Sequence, residues 1–377
     1  MDLGLSEPQE MLRKMARDFL ATECPKTVVR EMEEDEKGYP AQLWHNMAEL
    51  GWTGLPLPEE HGGGGGSFLD LVVLLEEMGR ACLPGPFFST VVLGGLTILD
   101  AGTEQQRKDL LPPIADGSLI MTAALTGTRG AYDADGVEVE AVRQNDEYVL
   151  NGTKLFVPDA HVADWIICSA RTSKGAAPEE GITVFLVERG SQGLSCELLE
   201  SLAKDKQCEV VFKDVRVPAA NILGEADRGW DVVRRLLQRA AVAKSVEMVG
   251  AAQQVLEMTV DYAKERVQFD HPIGYFQAVQ HHCSNIAIAV DGSRYLAYQA
   301  AWKLDEGLPC DMEAAVAKSW TSDSYKQVAA LGHQVHGAIG FTLDHDMQLY
   351  SRRASVAEVA FGDADFHREA IAQMLES

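Results

Sequence analysis

Tyr262 to Gln280 reads YAKERVQFDHPIGYFQAVQ. It follows a long helical segment without proline. It carries Arg266 and Phe269, a Pro272-Ile273-Gly274 turn, then Phe276 and Gln277 opening another helix. An arginine offers a bidentate fork to a pyrophosphate, a phenylalanine a stacking face and a glutamine an amide. Held around one tight turn, these groups grip a flat, phosphate-bearing ligand. The same residues also serve to pack a helix corner, and spacing alone leaves both readings open.

Outward from this stretch the chain alternates in character. From Glu7 to about Gly117 apolar residues recur at helical spacing, as in Met11, Met15, Phe19 and Leu20, in Leu69 to Met78 and in Leu93 to Leu99. From about Met121 short runs rich in β-branched and aromatic residues read as strands: Val137 to Val142, Tyr148 to Leu150 before an Asn151-Gly152 turn, Trp165 to Cys168, Thr183 to Val187 and Glu209 to Phe212. From Trp230 the pattern is helical again, with segments at Trp230 to Val267, Gln277 to Glu306, Met312 to His333 and Asp344 to Ala360. This order predicts an α+β fold: an N-terminal helical domain over 1–120, a middle β-domain over 121–225 and a C-terminal helical domain over 226–377. A βαβ alternation is missing, which disfavours a Rossmann reading. Five consecutive glycines at 62–66, with no following GK[ST], predict a flexible surface turn rather than a phosphate loop, with His61 as a surface residue.

With 377 residues, 46% of them hydrophobic, the chain is long enough for two or three packed units. No long uncharged apolar run is present, so a membrane partner is not expected. The N-terminus MDLGLSEPQE has no secretory pattern. Seven scattered cysteines without a CxxC pair argue against disulfides or zinc and suit a cytoplasmic setting. His333 and His336, and His281 and His282, lack a third ligand at metal-site spacing, so no metal is expected. A net charge of −24 argues against a nucleic-acid partner.

Several motifs resemble the acyl-CoA dehydrogenase family. The opening stretch is similar to the family segment that holds FAD across a subunit interface. Leu150-Asn151-Gly152-Thr153-Lys154 resembles its "LNGxK" passage and Ala163-Asp164-Trp165 its "ADW". Val215-Arg216-Val217-Pro218 with Asn221-Ile222-Leu223-Gly224-Glu225 resembles "DVRVPxxNxLGE", and Gln334 to Phe341 resembles "QxxGGxGF". The motifs occur in the family's order, from about the first helix to Phe366. The resemblance implies the family architecture, with a C-terminal four-helix bundle. It implies FAD as cofactor, an acyl-CoA substrate, electron-transfer flavoprotein as acceptor, and a homo- or heterotetramer, the latter with a paralogous subunit.

Carried over residue by residue, Arg266, Phe269, Gln277, Gln334 and Gly337 stand where the family holds FAD. Asp270 replaces a glycine, and Ala338 replaces the second glycine of the late loop. In the β-domain Leu125 and Thr126 stand at the flavin's pyrimidine edge. Phe156 stands at the aromatic beside the isoalloxazine, or else is a buried strand residue. Pro158 stands where the family has a hydroxyl near flavin N5.

Dehydrogenation of an acyl thioester pairs α-proton removal by a carboxylate with hydride transfer to flavin N5. The family's usual glutamate position falls on Phe361, followed by Gly362, and the resemblance places both in the acyl pocket. Asp363 is a poor substitute, two residues on. A second family position falls on Ala240. Glu247 lies seven residues further, on the same helix face as Ala240, Ala243 and Ala251, whose small side chains leave room for a ligand. Glu247 is therefore the candidate base. Its rival role is an ion pair with Lys244, with the small residues marking close helix packing. Arg239, beside Arg234 and Arg235, is a candidate CoA contact. Replacement of the usual glutamate resembles branches that handle sterol-derived or cyclic acyl-CoAs. The first reading is a dehydrogenase forming a trans-2-enoyl-CoA. The alternative is a non-catalytic or flavin-sharing subunit of a hetero-oligomer. A third is an oxidase, reductase or decarboxylating enzyme on the same fold.

Overall fold

The computed structural model describes residues 4–376. In chain order, helices α1 (Glu7–Glu23), α2 (Lys26–Glu34), α3 (Ala41–Glu49), α4 (Phe68–Ala81), α5 (Leu96–Ala101) and α6 (Glu104–Ala115) come first. Strands β1 (Met121–Ala124), β2 (Glu140–Gln144), β3 (Glu147–Pro158), β4 (Trp165–Arg171), β5 (Ile182–Glu188), β6 (Leu194–Leu199), β7 (Gln207–Pro218) and β8 (Ile222–Leu223) follow. Then come α7 (Trp230–Glu265), the short β9 (Val267–Gln268) and β10 (His271–Pro272), α8 (Gln277–Asp305), α9 (Asp311–His336), α10 (Met347–Val359) and α11 (Ala364–Glu376). No helix is long and apolar enough to cross a membrane among the described residues.

These elements form two compact units that do not follow the three sequence stretches. One joins residues up to Arg30, Phe68–Leu83 and residues from Ala241 on; the other joins Glu31–Ser67 and Pro84–Ala240. The N-terminal helical stretch is thus divided between them, because α1 and α4 pack into the C-terminal helical bundle.

In the helical unit the decisive packing feature is backbone contact. A Cβ added at Gly79 of α4 would lie 1.9 Å from the Glu247 carbonyl oxygen of α7. One added at Gly250 would lie 1.7 Å from the Glu76 carbonyl oxygen. The two helices therefore cross with only glycine between them. Charged side chains tie the crossing down. Arg17 forks onto Glu77 at 2.9 and 2.6 Å, and buried Glu76 accepts from the Tyr298 hydroxyl at 2.6 Å and from Arg294 at 3.2 Å. Pairing and hydrogen bonding offset the cost of burying these carboxylates.

The other unit is built on an eight-stranded sheet with the order β6-β7-β3-β2-β4-β5-β8, and β1 runs parallel beside β4. Its core includes Leu150, Ile166, Cys168, Phe185, Val210 and Phe212. Two sequence expectations fail here. Asn151-Gly152 is not a turn but a register shift inside β3, where Gly152 has φ +140°. Asn151 bonds Asp214 N at 2.9 Å across the strands, and a Cβ at Gly152 would meet Val139 at 3.0 Å. The glycine run is not a flexible turn either. Gly63, Gly64, Gly65 and Gly66 donate to the carbonyls of Pro58, Gly54, Leu57 and Leu55 at 2.8–3.1 Å. A Cβ at Gly63 would sit 2.1 Å from Leu57 O, so the segment folds tightly back on residues 54–58, and His61 is buried.

Candidate active site

The opening stretch forms a hairpin. β9 and β10 pair with Val267 opposite Pro272 and Gln268 opposite His271, leaving Phe269 and Asp270 as a two-residue loop. Two-residue hairpin loops of the I′ type need positive φ at both central positions, and Phe269 has φ +53° and Asp270 φ +62°. A left-handed phenylalanine costs about 1 kcal/mol, and the turn holds its ring 85% exposed. The ring meets Phe276 edge-on at 6.0 Å. Arg266 and Gln277 are also exposed. Asp270→Gly is expected to raise stability by up to about 1 kcal/mol by relieving one left-handed side chain, read as a higher denaturation midpoint; a lower midpoint would contradict the strain.

Gln334 is exposed near the end of α9, which stops at Gly337 with φ 63° and ψ −144°, a conformation essentially restricted to glycine. No atom lies within 4 Å of where its Cβ would be. A cleft of about 590 Å³ is lined there by Lys326, His333, Gln334, Gly337, Phe341 and Ser355 among others. Phe341 stacks on His333 at 4.5 Å, and His333 Nδ1 is buried without a hydrogen-bond partner. Burial pushes both His333 and His336 below the usual imidazole range. Among the described residues no cluster of three or more His, Cys, Asp or Glu is placed to hold a metal.

In the sheet unit, Phe156 is not a buried strand residue. It falls in the register shift between Lys154 and Val157, has φ +55° and is 55% exposed. The bulge turns the ring out of the sheet. Buried Thr126 donates its hydroxyl to Leu155 O at 2.6 Å, so it is available to a ligand only as an acceptor. Leu125 O receives the buried Lys154 ammonium at 2.8 Å, and Pro158 O accepts from the Thr122 hydroxyl. Arg239 differs from expectation. It pairs with Asp100 and reaches Leu96 O at 3.4 Å, so its charge is committed inside this unit rather than waiting for a CoA phosphate.

Glu247 Oε2 accepts from Lys244 Nζ at 2.7 Å, and the carboxylate is about one-quarter exposed. Ala240, Ala243 and Ala251 are buried, and Gly250 presses on α4. The small residues on this face therefore mark close helix packing, while the Glu247 carboxylate itself stays partly open to solvent. Asp363 is exposed and accepts from Phe366 N at 2.8 Å, which makes it a cap for α11 instead of a base.

Phe361 is buried and has φ +58°; Gly362 follows with φ +94°. Two groups that carried no motif signal hold this turn. Lys318 Nζ reaches Gly362 O at 2.9 Å, and His367 Nε2 lies 3.0 Å from Phe361 O. The one sign of Lys318 in the sequence is a lone lysine within the otherwise small or apolar run Ala314–Ala317 and Ser319-Trp320.

Three domain families match in succession. They are described as acyl-CoA dehydrogenase N-terminal domain (residues 6–118), middle domain (122–215) and C-terminal domain (227–376). An acryloyl-CoA reductase (NADH) of Anaerotignum propionicum is 32% identical over 99% of this chain and 95% of its own length. The butyryl-CoA dehydrogenase structure from Megasphaera elsdenii is 30% identical, with a TM-score of 0.93 over 100% of both chains. A chain of the ChsE4-ChsE5 complex from Mycobacterium tuberculosis is 28% identical, with a TM-score of 0.92 over 100% of this chain and 99% of that one. Matching helical, sheet and helical regions in order over nearly its whole length, the chain belongs to the acyl-CoA dehydrogenase family.

Proposed function

We propose that this chain oxidises an acyl-CoA thioester to its trans-2-enoyl-CoA with FAD as cofactor, and that the electrons leave to electron-transfer flavoprotein. The observation that carries the reading is the exposure of two aromatic rings, Phe269 and Phe156, by left-handed backbone positions. Strain and exposed apolar area are both unfavourable to the isolated fold, and a flat ligand lying against such rings offsets them.

The residues present fit FAD. On the helical unit, Arg266 offers its fork, Phe269 a ring, and Gln277 and Gln334 their amides. The bare backbone at Gly337 borders a cleft that His333 also lines. These groups would serve the flavin of a neighbouring subunit. On the sheet unit, Leu125, Thr126, Phe156 and Pro158 would face the flavin of their own subunit. When bound, FAD supplies the hydride acceptor. Glu247 takes the α-proton through a carboxylate whose Oε2 is already bonded by Lys244. Phe361 and Gly362 form one wall of the acyl pocket, an apolar wall where a carboxylate is usual in the family. That chemistry suits a branched or cyclic acyl group. Arg239 is left out of the substrate contacts because Asp100 holds it.

A second reading has specific support. Phe361 cannot accept a proton, the Ala240 position is buried, and Glu247 is ion-paired. The chain would then be a flavin-sharing subunit beside a competent paralogue. Similarity to a chain from a complex of two differently named proteins is consistent with that assembly.

The test is to purify the chain alone and with an adjacent paralogue, measure FAD per chain, and add acyl-CoAs without oxygen. Stoichiometric FAD and bleaching in the chain alone is the expected result. Bleaching only in the co-purified form would replace the first reading with the second. Failure to bleach with every acyl-CoA in both forms would overturn both.

A further inference from the structure

The α10–α11 turn holds a conformation that its own residues disfavour. Phe361 and Gly362 are consecutive left-handed positions, at φ +58° and +94°. A Cβ at Gly362 would lie 2.4 Å from the Phe366 ring and 2.9 Å from His367 Nε2, so the turn is pressed against α11. Its carbonyls are gripped from two helices. Lys318, fully buried on α9, directs Nζ to Glu358 O at 2.8 Å, to Gly362 O at 2.9 Å and to Ser322 Oγ at 2.8 Å. These three acceptors match the three protons of an ammonium group. His367 on α11 lies 3.0 Å from Phe361 O through Nε2. A carbonyl only accepts, so Nε2 is the protonated nitrogen.

Neither side chain is bonded to a carboxylate here. A buried ammonium among neutral oxygens is a costly arrangement, and burial with the nearby Lys244 pulls Lys318 down to about 7. Burial likewise holds His367 near 4, leaving it neutral with one N–H. When Lys318 loses its proton, the amine still has two N–H groups for the two carbonyls, and Ser322 can reverse its bond. The grip on the turn thus persists in both protonation states.

We propose that Lys318 and His367 are positioning residues that hold the Phe361–Gly362 turn in its strained shape, and so set the acyl-binding wall this turn presents. The clamp rests on geometry alone. Its consequence for substrate rests on the acyl-CoA reading above.

The test uses the full flavin-loaded chain, with His367→Leu, His367→Gln and Lys318→Met. Readouts are flavin content, hydrogen exchange of the 358–367 segment, and acyl-CoA affinity from the flavin spectrum. His367→Leu should leave flavin content unchanged, speed exchange in that segment alone, and weaken acyl-CoA binding about tenfold, the worth of one lost bond. His367→Gln keeps an N–H donor and should recover binding to within about threefold of the parent. Lys318→Met should follow His367→Leu; if it does not fold, the His367 pair still decides. Unchanged exchange in His367→Leu would overturn the clamp. Faster exchange with unchanged acyl-CoA affinity would overturn the positioning role. A parent that binds no acyl-CoA would overturn the pocket reading and with it the positioning role, while the exchange data would still report on the clamp.

Discussion

Glu247→Gln is expected to keep the flavin and slow its bleaching by acyl-CoA about 10²- to 10⁴-fold, the usual worth of a positioned base. Glutamine keeps the shape of the side chain and an oxygen for Lys244, so packing at the α4–α7 crossing is preserved. Lys244→Met provides the companion measurement. The ammonium lies 2.7 Å from Oε2. Methionine removes that hydrogen bond and leaves the carboxylate in place. Lys244→Met should therefore still bleach, and faster than Glu247→Gln. A Glu247→Gln variant that bleaches as fast as the parent would reduce Glu247 to an ordinary ion pair, worth about 0.2–0.5 kcal/mol. Lys244→Met bleaching as slowly as Glu247→Gln would mean that the intact pair, and not the carboxylate alone, is what the reaction needs.

Gly79→Ala and Gly250→Ala are each expected to cost about 3–5 kcal/mol, near the upper end for single substitutions. Each adds a methyl group within 2 Å of a carbonyl oxygen on the facing helix, at 1.9 Å from Glu247 O and 1.7 Å from Glu76 O. The obstacle is backbone, which cannot rotate away as a side chain does. Relief requires α4 and α7 to separate, which opens voids along both helices and stretches the Arg17–Glu77 and Tyr298–Glu76 bonds. Gly190→Ala is the control, because nothing lies within 4 Å of that Cβ and its φ is not in the left-handed region. Denaturation midpoints of the three variants check the expectation. Midpoints for Gly79→Ala and Gly250→Ala equal to that of Gly190→Ala would show that the crossing is loose. Gly79→Ala has a second consequence: it displaces the peptide that carries the candidate base, so residual folded protein should also bleach more slowly than the parent.

The two expectations meet at one place, and they show where sequence reading stops. The face of α7 around Glu247 was legible as small residues beside one carboxylate, but more than one meaning fitted it. Whether an alanine borders a ligand or a neighbouring helix depends on residues far away in the chain, here Gly79 and Glu76. Arg239 had the same ambiguity, and Asp100 resolves it.

The sequence by itself determined the family, the type of most long elements and the positions of the motifs that resemble the family's flavin-holding segments. Those properties are local: helical periodicity, β-branched runs and short motifs are each carried within a few turns or one strand. Tertiary structure alone decided the rest. Phe156 faces outward because β3 shifts register against β7 between Lys154 and Val157. Phe269 is presented by a hairpin whose strands are only two residues each. Lys318 matters because its helix carries it to carbonyls 40 and 44 residues on. Pairing register, helix crossing and the partners of buried charges are set by long-range packing, which no local pattern encodes.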